Sequence, residues 1–403
     1  MPRSSFDFTA LREQYSNLLL EDIIPWWLRH GVAPSGAIQT CIGDDRTVYS
    51  SDLWGWSQWR AVWVFSKLYN TLEPNAEWLN VAKGVYRFLS SHGPVEGHHW
   101  PLLHGGDGSI KRGFESLGVD GFAIYGLAEF YRATGDPEVR DLALGTYEAV
   151  ERELANPTPG RSEFPYPLLE GWMDHSLSMM LSLFYWELGN ALDRDDIREK
   201  SLLHHRQVMD VFLQPDGLLL ERLQMDGTPG PSPLGTTVVP GHAIESMWFQ
   251  IHIARDRNDL PTLGTAVESI RKHIEFGWDQ EFGGITLALD KNGRQDVAWK
   301  WHDTKLWWPQ VEALYATMLA WELTQEPWCL EWHDRIRNYC FAHYPVKEHG
   351  EWTQKLDRQG RAIDVVIALP VKDPFHLPRV LIYLTQALDR ITACKSQPTA
   401  KKS

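Results

Sequence analysis

Two histidines stand where helix starts are expected, each with a charged companion three residues on. They are His242 with Glu245 in Pro240-Gly241-His242-Ala243-Ile244-Glu245, and His376 with Arg379 in Asp373-Pro374-Phe375-His376-Leu377-Pro378-Arg379. Residues three apart share one helical face, so a carboxylate at 245 can orient the imidazole at 242 and fix its tautomer. A general base needs this arrangement, with one ring nitrogen tied down and the other free. Arg60, in Trp54-Gly55-Trp56-Ser57-Gln58-Trp59-Arg60, is a permanent charge among tryptophans, suited to holding an oxygen that gains negative charge. Glu312 follows a fourth segment of this kind, Lys305-Leu306-Trp307-Trp308-Pro309-Gln310-Val311-Glu312. These residue types suit proton transfer at carbon. No pair of histidines four apart accompanies them, and Cys41, Cys329, Cys340 and Cys394 are scattered, so no metal site is expected.

A lone histidine on a helix is usually structural, and a helix carboxylate is often only solvated. The functional reading rests on convergence: four helix starts carry the same unusual chemistry, one or two repeat periods apart. His98-His99 and His204-His205 are expected at the surface or in turns, while His175 and His302 stay open.

The elements that must position these groups follow a repeat. A Gly, then alternating apolar and polar residues, then an Asp/Asn/Gly turn recurs over 36–45, 97–108, 217–227, 284–293 and 350–360. Such a pattern predicts a small β-hairpin. The copies lie roughly sixty residues apart, with one double interval, and Asn156-Pro157-Thr158-Pro159-Gly160 falls where the absent copy belongs. Between them the apolar spacing turns helical, predicting helices over 8–30, 56–72, 76–91, 116–134, 137–154, 173–190, 195–213, 241–257, 261–277, 306–325, 328–343 and 374–392. Gly135-Asp136-Pro137 and Asp259-Leu260-Pro261 punctuate two of the pairs. Six pairs imply an all-α fold, an (α/α)6 barrel with short β-hairpins in the loops. Helices that follow the hairpin loops are expected to form the inner ring, their first turns facing one cavity. Residues 1–392 are expected to form a single domain, and 393–403 a loose tail.

Composition bounds the function. The chain of 403 residues is 43% hydrophobic and 23% charged, as globular proteins are. A net charge of −14 disfavours nucleic acid, which is bound through clustered Lys and Arg. No signal-like or membrane-spanning apolar run is present, so a cytoplasmic location is expected. The 20 tryptophans serve equally as helical core filler or as flat faces for sugar C–H groups, and as a set favour a carbohydrate site.

The segments around Arg60, His242–Trp248, Lys305–Ala313 and Phe375–Arg379 resemble, in order and spacing, those of the N-acylglucosamine 2-epimerase family. The likeness runs from Ile23-Ile24-Pro25-Trp26-Trp27 to Tyr383. It implies the (α/α)6 barrel and interconversion of sugars epimeric at C2. It makes His242 and His376 the catalytic pair and Arg60 the substrate anchor. Glu245 and Glu312 become active-site carboxylates, with Trp308 and Arg379 beside them at the substrate. Ser178-Met179-Met180 resembles the branch acting on N-acyl-glucosamine and N-acyl-mannosamine, whereas the stretch Gly121–Gly135 resembles the free-sugar branch. The alternatives are 2-epimerisation or aldose–ketose isomerisation of free mannose and glucose, a glycoside hydrolase on the same barrel, and a non-catalytic sugar binder. No redox cofactor is needed. The resemblance implies stimulation by a nucleotide such as ATP, although no P-loop is present, and a homodimer.

Overall fold

The computed structural model describes residues 6–156, 169–367 and 369–396. The first rod runs from α1 (Phe8–Asn17) through a π-helical segment, Leu18–Ile23, into α2 (Ile24–His30). Five helix pairs follow: α3 (Gly55–Thr71) with α4 (Ala76–His92), α5 (Leu117–Thr134) with α6 (Pro137–Ala155), α7 (His175–Leu192) with α8 (Asp195–Arg206), α9 (Pro240–Asp256) with α10 (Leu260–Gly277), and α11 (Trp307–Thr324) with α12 (Pro327–His343). The last helix, α13 (His376–Ser396), packs against α1 and makes the sixth pair.

The ring is visible in the packing. Helix α3 touches α5, α5 touches α7, and so on through α9 and α11 to α13, which returns to α3. The reason lies in the side chains. Helix α11 is buried continuously from Trp307 to Ala320 and α5 from Leu117 to Phe130. A helix apolar on every side can only sit inside. By contrast α4 and α10 bury a single stripe, with Ala266, Val267, Ile270 and Ile274 on the inner face of α10. The structure is therefore an (α/α)6 barrel.

The punctuation works as the sequence suggests. Asp136 caps α6 by accepting from the Glu138 amide, and Asp259 caps α10 by accepting from the Thr262 amide. Gly135 closes α5 in the left-handed region at φ 64°.

The loops close locally as expected, Leu103–His104 pairing with Ile110–Arg112 and single bridges joining Ile42 to Val48 and Leu356 to Ala362, and they also pair beyond themselves. Each motif glycine is the positive-φ residue of a tight turn, Gly36, Gly97, Gly217, Gly284 and Gly350 alike. After Gly97, Gly217, Gly284 and Gly350 the strand beyond the turn pairs with the short strand that feeds an inner helix of the previous unit. In chain order the strands are β1 (Leu53–Trp54), β2 (Leu103–His104), β3 (Ile110–Arg112), β4 (Trp172–Asp174), β5 (Arg222–Gln224), β6 (Thr237–Val238), β7 (Leu289–Asp290), β8 (Lys305–Leu306) and β9 (Lys355–Leu356). The ladders β1–β2–β3, β4–β5, β6–β7 and β8–β9 are all antiparallel. Strands of two or three residues are too short to stand alone, and every ladder but the local hairpin β2–β3 knits one unit to the next. The stretch 157–160, assigned to the absent copy, lies outside the described residues, as do residues 397–403 of the expected tail, whose first residues, 393–396, are instead the last turn of α13.

Inner helices approach closely only where a side chain is missing. A Cβ on Gly126 of α5 would lie 2.7 Å from the Trp59 carbonyl oxygen of α3, whereas one on Gly264 of the outer helix α10 would meet nothing within 4 Å. Chemical denaturation should therefore separate the two. Gly126→Val is expected to lower stability by about 1–3 kcal/mol through overpacking, and Gly264→Ala to raise it by about 0.5–1 kcal/mol.

Candidate active site

The first two turns of all six inner helices line one cavity, to which α3 contributes Arg60, α5 Phe122, α7 Met180, α9 His242, α11 Trp308 and α13 His376. The cavity holds about 1570 Å³ of empty space, open solvent at its mouth included. Six helix N-termini point their unpaired amides and positive dipole ends the same way, which favours negative charge at this end of the barrel.

His242 sits in the first turn of α9, behind Pro240. Its Nδ1 is 2.9 Å from Glu221 Oε1. A carboxylate only accepts, so Nδ1–H donates and Nε2 is left for the cavity. His376, the first residue of α13, has the same arrangement, with Nδ1 2.8 Å from Glu312 Oε1. Among the described residues neither Nε2 has a hydrogen-bond partner. One indole touches both rings: Trp308 lies 5.0 Å from the His242 centroid and 5.6 Å from that of His376. Trp307 meets His376 edge-on at 5.8 Å.

The partner of His242 corrects the sequence reading. Glu245, three residues on, does not orient that ring. Helical geometry aims both side chains inward in parallel, and Glu245 crosses to α13, where its Oε1 accepts from the Arg379 guanidinium. Glu221 reaches His242 instead from the loop just before β5. Its mark in the sequence is an adjacent acid and base, Glu221-Arg222, interrupting the apolar run Leu218-Leu219-Leu220. Arg222 lines the cavity too, donating from Nε to Asp174 Oδ1 at 2.6 Å. Burial lifts the Asp174 carboxyl to about 6, against the pull of Arg222.

Arg379 is fully buried and joins three helices. It donates to Glu245 and, at 2.7 Å, to Glu312 Oε1, while Glu312 Oε2 accepts from Trp248 Nε1 at 2.8 Å. Glu245, Glu312 and His376 present ligand atoms within 4.8 Å of one another, a spacing that could hold a metal ion. The guanidinium already bonded to both carboxylates supplies the positive charge there. Arg379 does not line the cavity and acts behind it, so its expected place at the substrate gives way to a structural one.

Arg60 does line it. Its Nη1 donates to Asp373 Oδ2 at 2.5 Å, and its guanidinium lies 4.1 Å from the Phe122 ring centroid, 4.9 Å from Phe375 and 5.5 Å from Trp56. Of the remaining histidines, His175 is buried behind the wall, its Nε2 3.0 Å from Ser246 Oγ. His205 is buried as well, contrary to the surface expectation, because its Nδ1 pairs with Gln250 Oε1 at 2.7 Å on the neighbouring inner helix. His302 is half-buried in a loop, and its carbonyl accepts from the Ala288 amide.

The two cavity imidazoles have opposite electrostatics. Burial alone would lower His242, but the Glu221 carboxylate, helped by Glu245 and Asp174, carries it above the ordinary histidine value. Burial lowers His376 to about 3, with Arg60 and Arg379 adding to it against Glu245 and Asp373. Burial also opposes ionisation of Glu221, yet His242, His175 and Arg222 bring that carboxyl below its usual range.

Comparison with known proteins agrees with the resemblance seen in the sequence. N-acylglucosamine 2-epimerase of Bos taurus is 26% identical over 92% of this chain and 90% of its own. Cellobiose 2-epimerase of Dictyoglomus turgidum is 24% identical over 87% of this chain and 92% of its own. A D-mannose isomerase crystal structure superposes with a TM-score of 0.80 at 16% identity, covering 96% of this chain and 100% of that one. The family model of N-acylglucosamine 2-epimerase matches residues 37–377, and the chain belongs to that family.

Proposed function

We propose that the protein is a sugar 2-epimerase acting on N-acyl-D-glucosamine and N-acyl-D-mannosamine. The observation that carries this reading is the pair of imidazoles on one cavity, each with Nδ1 on a carboxylate and Nε2 unengaged. Epimerisation at C2 needs two such groups, and the resemblance to curated 2-epimerases supports that reaction.

The chemistry follows from acidity. The C2 hydrogen is acidic only when C1 is a carbonyl, so the sugar reacts in its open-chain form. One imidazole takes the C2 proton through Nε2. The electron pair moves into the C1–C2 bond and the C1 oxygen becomes negative, giving an enolate (an enediolate where C2 carries a free hydroxyl). Arg60 and the helix N-termini stabilise that oxygen. The other imidazole delivers a proton to the opposite face of C2, the C1 carbonyl re-forms, and configuration is inverted. For a free sugar, whose C2 hydroxyl can become a carbonyl, return of the proton at C1 would give a ketose instead.

The acyl group has an apolar wall to lie against, made by Leu177, Met179 and Met180 of α7. The mammalian N-acylglucosamine 2-epimerases, 26–27% identical, favour the same substrate class. A glycosidase would place an acid and a base across a glycosidic bond. Glu245 and Glu312 are instead both bonded to Arg379.

Incubation with N-acetylmannosamine in D2O should place deuterium at C2, with the N-acetylglucosamine signals growing in by proton NMR. His376→Ala should reduce this exchange by about 10²–10⁴-fold. Absence of C2 exchange with every aldose tried would overturn the assignment, and a ketose product on sugar chromatography would replace epimerisation by isomerisation. Arg60→Ala should lower kcat by about 10²–10³-fold, the loss that follows removal of one group stabilising a developing oxyanion.

A further inference from the structure

The two imidazole–carboxylate pairs look alike in distance but not in what surrounds the carboxylate. Glu312 has its charge balanced: Oε1 accepts from Arg379 at 2.7 Å as well as from His376, and Oε2 accepts from Trp248. Glu221 has no such cation. Its ion-pair contacts among the described residues are His242 at 2.9 Å and His175 at 3.9 Å, and the adjacent Arg222 is committed to Asp174. We infer that the resting enzyme holds a single catalytic proton, stored on His242 as an imidazolium against Glu221, while His376 waits as the neutral base. The two histidines thus have unequal roles before any substrate arrives.

The charged groups facing each ring support this division. Around His242 stand Glu221 from the loop, Asp174 from β4 and Glu245 from its own helix, with Arg222 turned to Asp174. Around His376 stand Arg379 on its own helix and Arg60 from α3, set against Glu245 from α9, Glu312 from α11 and Asp373 from the preceding loop. All three guanidiniums are themselves paired with carboxylates, but two of them stand by His376 and a single one, Arg222, stands on the His242 side. The burial and charge effects described above act in the same directions.

The proton balance follows. With the epimer whose C2 hydrogen faces His376, Nε2 of that ring accepts the proton as the C2–H bond breaks and the C1 carbonyl oxygen becomes an enolate oxygen. His242 then gives its Nε2 proton to the other face of C2. The enzyme is left with the proton on His376, where Arg60 and Arg379 disfavour it. That proton passes to water and His242 takes another before the next turnover. The opposite epimer meets a base that already carries a proton, so the proton must move to His376 before its turnover begins.

The inference rests on the epimerase reading for its significance but is tested without substrate. Imidazole nitrogen NMR on the intact, ¹⁵N-histidine-labelled protein, with His242→Asn and His376→Asn to assign the signals, should show at pH 7 two protonated nitrogens on His242 and one on His376. Glu221→Gln, which keeps shape but removes charge, should lower the titration midpoint of His242 by about 1–3 pH units and leave His376 in place. A neutral His242, a protonated His376, or an unmoved midpoint in Glu221→Gln would overturn the inference. Failure of C2 exchange in an enzyme with this proton pattern would strike the epimerase assignment alone.

Discussion

The site depends on one guanidinium buried where solvent cannot reach it. Arg379 is bonded to Glu245 of α9 and Glu312 of α11 while belonging to α13, so three inner helices share one cation. Its flat faces are covered by Phe375 at 4.4 Å and Trp248 at 5.0 Å. Burying such charges has a cost, and an isosteric apolar cluster is often as stable. Removing one partner is what does harm, at about 3–5 kcal/mol. The arrangement is therefore better understood by what it fixes than by net stabilisation. It sets Glu312 in place, Glu312 sets the His376 ring, and the order of these contacts defines where a proton can be taken.

Much of this was legible in the sequence, for reasons that can be named. Helix positions followed from apolar spacing because inner and outer helices bury their sides differently, as α11 and α10 do. The residues at 60, 242, 245, 308, 312 and 376 sit in the first two turns of their helices, where chain order already brings like positions together. What escaped were partners supplied by loops. Glu221 comes from a segment whose course is set by strand pairing with the preceding unit, and Asp373 from a loop held by the Gln354 side chain, and no local spacing encodes either. Arg379 was visible as a residue but not as a buried one, since a three-residue offset fixes the face of a helix and not its depth.

The tryptophans show the same division. Trp56, Trp299, Trp307 and Trp308 line the cavity, whereas Trp26, Trp27, Trp59, Trp63, Trp100, Trp248 and Trp352 are fully buried packing. Abundance signalled a large aromatic interior, and only position separates the walls of the site from the filler. The short ladders have a comparable logic. Because β4–β5, β6–β7 and β8–β9 each tie the entrance of one inner helix to the loop of the following unit, cavity walls from different units are held in register by backbone hydrogen bonds.

The convergence of six helix starts also governs when electrostatics can act. An unionised sugar carries no formal charge, so the ring of amide dipoles gains little from binding it. Anionic character arises only after carbon gives up its hydrogen, and the dipoles then respond fully. Stabilisation withheld from the ground state and released in the reaction itself is the kind that speeds turnover instead of trapping the ligand. A permanently anionic mimic of the enolate would draw on that field from the outset and should occupy the barrel as an inhibitor.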